Sequence, residues 1–334
     1  MPYRVMRITR NPHASLTFLE EERKQMAGLD VELVPIESAT EEQLVADARD
    51  ADALITMGVP IGRRSLEAMA KCRLVVTASV GYDTIDVEAA AAVGVAVAHV
   101  PDFCTHEVAN HTFTLLLALT RKLIPLHNNL RVGKWDHSFL AGIPPLHGQT
   151  LGLIGFGRIG RAVAKRARAF DMQVIAADPY VDRAIMAEHG ARWVSLEDLL
   201  RQADYVSVHT FLNAKTRRLI GEREFRLMKP TAFFFNTSRG KVVDEQALIT
   251  ALRERWIAGA GLDVFEQEPT DPTNPLLQFE NVVVTPHTAG HSDLSILDAR
   301  RGAAAEVARV LRGQWPKNLV NPDVKANPRF PLKD

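Results

Sequence analysis

Cysteine is scarce in this chain of 334 residues: there are two, Cys72 and Cys104, and neither stands in a metal-ligand spacing. No metal is therefore expected. With so few thiols, and with an N-terminus, MPYRVMRITRNP, that lacks the apolar core of a signal peptide, a reducing cytoplasm is the expected compartment. An excess of charge is also missing, since 40 Lys plus Arg balance 40 Asp plus Glu and no block of like charge occurs. Nucleic acid and anionic membrane surfaces are thus not expected partners. Long apolar runs are absent as well: the most apolar window, Phe113 to Leu119, is too short and too close to Arg121 and Lys122 to span a bilayer. No internal repeat or low-complexity tract is visible. What remains is a soluble chain, long enough for about two domains, acting on a small partner.

The most informative stretch that is present runs from Gln149 to Tyr180. An apolar run through Leu151, Leu153 and Ile154 leads into Gly155, Gly157 and Gly160, a Gly-x-Gly-x-x-Gly turn that opens a helical pattern. Such a turn brings backbone N–H groups and a helix N-terminus up to a diphosphate. A second strand, Gln173 to Ala177, ends at Asp178, eighteen residues after Gly160, where the fold places an acid on an adenosine ribose. A carboxylate there repels a 2′-phosphate, so NAD is expected, with NADH preferred over NADPH.

Before this stretch, short apolar runs at Val5–Ile8, Val31–Val34, Ala53–Thr56, Leu74–Thr77 and Val95–Ala98 alternate with helical segments; after it come runs at Tyr205–Val208, Ala232–Phe235, Ala258–Leu262 and Val282–Val284. Alternation of this kind predicts parallel sheets with crossover helices. Thr105–Leu123 reads as a long helix bounded by Pro125, Ile124–His147 as neither strand nor clear helix, and Ser292–Leu311 as a final helix returning the chain to its first domain. The expected fold is α/β, with two doubly wound parallel-sheet domains. A Rossmann dinucleotide-binding domain (103–290) is inserted in a flavodoxin-like substrate domain (1–102 and 291–334). The apolar, aromatic segment after Ile124 suits a dimer contact, though it equally suits a loop packed on its own domain.

Three loops that follow strands of the second domain carry chemistry. Arg239 offers a fork of donors that suits a carboxylate, beside a Gly240 expected to leave room for a ligand, although an arginine here can equally be a solvated surface residue. His287 can give or take a proton near neutral pH, and Glu268 can orient its ring.

The segments SVGYDTIDVEAA, VPDFCTHEVANHT, GLIGFGRIGRAVA, NTSRGKVVDEQAL, AGLDVFEQEP and TPHTAG, in this order, resemble the D-isomer-specific 2-hydroxyacid dehydrogenase family over nearly the whole chain. That resemblance implies an enzyme moving hydride between NAD and C2 of a small 2-keto or 2-hydroxy acid. Arg239 would bind substrate, Glu268 would pair with His287, and His287 would shuttle the proton. The backbone at Val80 and Gly81 would hold the substrate carboxylate. Arg158 and Ile159 within the glycine turn, with Thr112, Asp178, His209, Thr210, Thr216, Thr237, Asp263 and Gly290, would line the cofactor. VPDFCTHEVANHT and LVNPDV look most like the branch that holds phosphoglycerate and glyoxylate reductases and the C-terminal-binding-protein corepressors. An alternative is therefore an NAD(H)-sensing binding protein with incidental turnover, although the corepressors carry a large aromatic where this chain has Gly290. Through the apolar arm after Ile124, a homodimer is the expected assembly. Substrate selection is expected from Thr9–Pro12, Met57–Val59 and the Trp135–Leu140 arm of a neighbouring subunit, while Arg10, Arg63 or Arg64 can hold a phosphate if the substrate has one but read more readily as solvated surface residues.

Overall fold

The computed structural model describes residues 1–8, 16–38, 40–136, 140 and 143–333, without the side chains of 16–18. The Thr9–Pro12 loop with Arg10, and residues 137–139 of the arm, lie outside the described residues. The chain divides into two compact units, Met1–Phe103 with Ser292–Asp334, and Cys104–His291.

The first unit begins β1 (Tyr3–Ile8), α1 (Leu16–Gln25), β2 (Val31–Ile36), α2 (Glu41–Asp47), β3 (Ala53–Thr56), α3 (Arg63–Ala68), β4 (Leu74–Thr77), α4 (Val87–Ala92), β5 (Ala96–Ala98). Its five strands are all parallel in the order β2-β1-β3-β4-β5. Both faces are covered, which is why β3 and β4 read as unbroken apolar runs. Successive residues feed opposite cores: Ala53 and Ile55 face the cluster that holds Val307 and Trp315, and Leu54 faces the one that holds Leu44 and Leu66.

The second unit comprises α5 (Thr105–Thr120), α6 (Leu123–Arg131), β6 (Thr150–Ile154), α7 (Arg158–Ala169), β7 (Gln173–Ala177), α8 (Arg183–Glu188), β8 (Arg192–Trp193), α9 (Leu196–Gln202), β9 (Tyr205–Val208), α10 (Glu222–Leu227), β10 (Phe233–Asn236), α11 (Glu245–Arg253), β11 (Gly259–Leu262) and β12 (Val282–Val284). Seven strands form one sheet in the order β12-β11-β10-β9-β6-β7-β8, again all parallel. The order turns back on itself between β6 and β9, the position at which doubly wound sheets open a ligand crevice.

Two expectations need correction here. Pro125 does not close the preceding helix: α5 stops at Thr120, Lys122 takes a left-handed backbone at φ 53°, and Pro125 sits in the first turn of α6. First-turn N–H groups have no partner within a helix, so proline costs nothing there. The segment after Ile124 is consequently helical as far as Arg131.

The closing helix α12 (Asp293–Leu311) starts at Ser292, whose side chain caps Ser295, and packs on the first unit through Ala303, Val307 and Leu311. The tail is tied to β5 by Asn321, whose side chain accepts from the Val97 N–H (2.8 Å) and donates to the Val95 carbonyl (2.9 Å).

Candidate active site

Because every strand of the second unit points the same way, their carboxyl ends share one edge, and loops leaving that edge carry most of the expected groups. Gly155 follows β6, Asp178 follows β7, and His209 and Thr210 follow β9. Thr237 and Arg239 follow β10, Asp263 and Glu268 follow β11, and His287 follows β12.

Gly155 has φ 93°, and a Cβ there would stand 2.7 Å from the His209 carbonyl oxygen. The loops on either side of the strand-order reversal therefore meet at this glycine. A Cβ on Gly160 would approach the Gly155 carbonyl to 2.5 Å, whereas one on Gly157 would meet nothing. Exposed Arg158 opens α7, whose N-terminus has no side-chain cap, and half-buried Ile159 packs on the core beneath. Asp178 pins this turn, accepting from the Phe156 and Tyr180 N–H groups at 2.8 Å each.

His209 lies 2.9 Å from Ser207 Oγ, and burial pushes its pKa down to about 4, so the ring is neutral at pH 7. The Thr210 hydroxyl is buried and lacks a partner among the described residues. Thr112 donates to the Val108 carbonyl (2.8 Å) and lies 3.1 Å from Thr237 Oγ1. Thr216, by contrast, spends its hydroxyl on its own turn, donating to Phe211 O at 2.6 Å. Gly290 adjoins Cys104, whose thiol burial pushes up to about 12. The open space at Gly157, the uncapped α7 terminus and the orphaned Thr210 hydroxyl fit a diphosphate-bearing dinucleotide.

Asn236 closes the turn before Arg239, donating from Nδ2 to the Arg239 carbonyl (2.9 Å) and accepting from the Ser238 N–H (3.0 Å) and hydroxyl (2.8 Å). Half-buried Arg239 gives one guanidinium N–H to the Ser238 carbonyl at 2.8 Å. Gly240 does not leave ligand space as expected: a Cβ there would fall 1.9 Å from the Phe265 carbonyl carbon and oxygen. The glycine serves the close approach of the loops after β10 and β11.

Asp263 organises the remaining loop. It is 1 % exposed, and it accepts from Thr285 Oγ1 (2.6 Å), the Thr288 N–H (2.8 Å) and the Ala289 N–H (2.9 Å). Its carbonyl takes the His287 N–H at 2.7 Å, so both arms of the residue hold the turn in which His287 stands at φ 54°. A left-handed histidine costs about 1–2 kcal/mol, which these bonds offset.

His287 Nδ1 then lies 2.6 Å from Glu268 Oε2, and Glu268 Oε1 accepts the Phe265 N–H at 3.1 Å. Partial burial pulls the Glu268 pKa up, but the bond and charge of His287, the Phe265 N–H and the Arg239 charge together hold it below its ordinary value. Sequence reasoning missed His111, whose Nε2 lies 2.8 Å from Thr285 Oγ1; no spacing signal pairs residues so far apart.

In the first unit, the Val80 carbonyl lies 2.8 Å from His99 Nδ1 and the Gly81 carbonyl accepts from Ser79 Oγ at 2.7 Å. Among the described residues neither the Val80 nor the Gly81 N–H has an acceptor. Those residues also contain no cluster of three metal-ligating side chains, and no helix long and apolar enough to cross a membrane.

Known proteins resemble this chain in sequence and in fold. Residues 113–289 match the model of the D-isomer specific 2-hydroxyacid dehydrogenase NAD binding domain. A glyoxylate reductase of Korarchaeum cryptofilum is 42% identical over 285 residues, 84% of this chain and 86% of that protein. The crystal structure of Aquifex aeolicus D-lactate dehydrogenase with NAD and lactic acid superposes with a TM-score of 0.82 at 30% identity, covering 92% of this chain and 96% of that one. An NADPH-dependent glyoxylate/hydroxypyruvate reductase from Sinorhizobium meliloti, in complex with NADP and malonate, gives 0.84 at 30% identity, covering 100% and 99%. On the family match over residues 113–289 and these likenesses in sequence and fold, the chain belongs to the D-isomer-specific 2-hydroxyacid dehydrogenase family.

Proposed function

We propose that the chain is an NADH-preferring reductase of small 2-keto acids of the glyoxylate or hydroxypyruvate type. The observation that carries this reading is the His287–Glu268 pair at 2.6 Å on the strand-end edge that also bears Arg239 and the glycine turn. A bound nicotinamide supplies the hydride. The Glu268 carboxylate can only accept, so it keeps the Nδ1 proton in place and stabilises the imidazolium. Nε2 is then the atom that gives its proton to the carbonyl oxygen as that oxygen gains charge. Arg239 holds the acid and stabilises the growing negative charge, a contribution on the order of several kcal/mol. The Val80 and Gly81 N–H groups suit a carboxylate.

The preference for NADH rests on Asp178, whose carboxylate at the end of β7 disfavours a 2′-phosphate. Thr112, Arg158, Ile159, His209, Thr210, Thr216, Thr237, Asp263 and Gly290 complete the proposed cofactor set. A homodimer is part of the proposal, supported by α6: Leu123, Ile124 and Leu130 are exposed, as are Val132 and Trp135 just beyond it. So is a cytoplasmic location, which suits two free, buried cysteines. Steady-state NADH oxidation with glyoxylate, hydroxypyruvate, pyruvate and phosphohydroxypyruvate, repeated with NADPH, tests the reading. Absence of turnover with all four acids overturns it.

A further inference from the structure

The hydrogen bonds around Asp263 extend beyond the loop that carries His287. Thr285 Oγ1 lies 2.6 Å from Asp263 Oδ1 and 2.8 Å from His111 Nε2 on α5. Asp263 already accepts two backbone N–H groups, and Thr285 Oγ1 donates to it as well. The single Thr285 hydroxyl proton is thereby committed, and its lone pair must accept from His111. That assigns the proton to Nε2 of His111. The ring also stands 3.6 Å from Asp263 Oδ1, with its side chain 20% exposed beside the 1% exposed carboxylate, so its N–H dipole points into a partly buried network. The chain of donors runs in one direction, from His111 to Thr285 to Asp263, and ends on the carboxylate that fixes the Thr288 and Ala289 N–H groups.

We propose that His111 is a positioning residue for the reaction: through Thr285 it fixes the Asp263 carboxylate, and thereby the left-handed turn that presents His287. The inference rests on the reading of His287 as proton donor. Without His111, Thr285 can rotate, Asp263 loses its fixed donor, and the turn relaxes toward a conformation that histidine prefers. His287 then spends less time aligned, which lowers the rate of the step more than the affinity for either reactant.

The test uses full-length His111→Leu, His111→Gln, Thr285→Val, Thr285→Ser and His287→Ala, with kcat and KM for glyoxylate and NADH affinity from fluorescence titration. His111→Leu and Thr285→Val should each lower kcat roughly tenfold to a hundredfold. Glyoxylate KM should move by less than about threefold, and NADH affinity, which Asp263 serves as a proposed cofactor residue, should fall by less than kcat does. Glutamine places an amide N–H where Nε2 stood and serine keeps the hydroxyl, so His111→Gln and Thr285→Ser should recover kcat to within about threefold of the native value. Native kcat in His111→Leu overturns the proposal, as does His111→Gln as slow as His111→Leu, or NADH affinity that falls as far as kcat. If His111→Leu does not fold, the near-isosteric Thr285→Val and Thr285→Ser pair decides the same question. An inactive His287→Ala beside an unaffected His111→Leu removes the positioning role alone; an active His287→Ala removes the reading beneath it too.

Discussion

His287 Nδ1 and Glu268 Oε2 stand 2.6 Å apart, and the bond leaves Nε2 as the ring atom able to exchange a proton with a substrate. Glu268→Gln keeps the shape but not the charge. Its kcat for reduction should fall about tenfold to a hundredfold. The pair also has a stability signature. The folded Glu268 pKa lies below the ordinary 4.5, so its ionised form contributes stability that is complete above that pH and lost as pH falls through the depressed value. Melting curves against pH for the native chain and Glu268→Gln should therefore converge on acidification below about pH 4.5. A constant offset down to strongly acid pH would contradict the pairing.

Two glycines of the site should behave oppositely. A Cβ on Gly157 enters open space, so Gly157→Ala should melt like the native chain while binding NADH about tenfold more weakly, its methyl standing where the proposed diphosphate would meet backbone. Gly240→Ala drives a Cβ to 1.9 Å from Phe265 backbone, which cannot give way as a side chain can. A loss of about 3 kcal/mol or more is expected. Calorimetry and NADH titration of both variants check the contrast.

Asp178, to which the proposal ties cofactor choice, also holds this turn. Asp178→Ala should weaken NADH binding and narrow the gap to NADPH, and it should also lower the melting temperature, because the Phe156 and Tyr180 N–H groups lose their acceptor. Asp178→Asn retains one acceptor oxygen and should lie between. Unchanged cofactor selectivity in both variants would remove Asp178 from that role.

α6 buries none of its residues within this chain. If it forms the dimer contact, the double variant Leu130→Asp, Trp135→Asp should sediment as a monomer where the native chain sediments as a dimer. A monomeric native chain would end the proposal.

Much of the fold is legible in the sequence because burial on both faces of parallel sheets leaves unbroken apolar runs such as Ala53–Thr56 and Tyr205–Val208, and because the glycine turn has a fixed spacing before its acid. Arg239, Glu268 and His287 are legible for a related reason: each follows such a run. What the sequence hides depends on tertiary geometry. Pro125 reads as a helix end because its place in a helix's first turn depends on the left-handed Lys122 before it. Gly240 reads as ligand space because its true neighbour, the Phe265 backbone, comes from a different strand end. His111 gives no signal, since its partner Thr285 lies across the fold and a histidine on a helix is usually a surface residue.

Oxidation of NADH in the presence of glyoxylate or hydroxypyruvate, followed side by side in the native chain, Arg239→Ala and His287→Ala, tests the central claim most directly. Rapid turnover by the native chain, with both variants inactive yet still binding NADH, is the expected result. Tight NADH binding by a native chain that turns over no 2-keto acid, or an active His287→Ala, would contradict it.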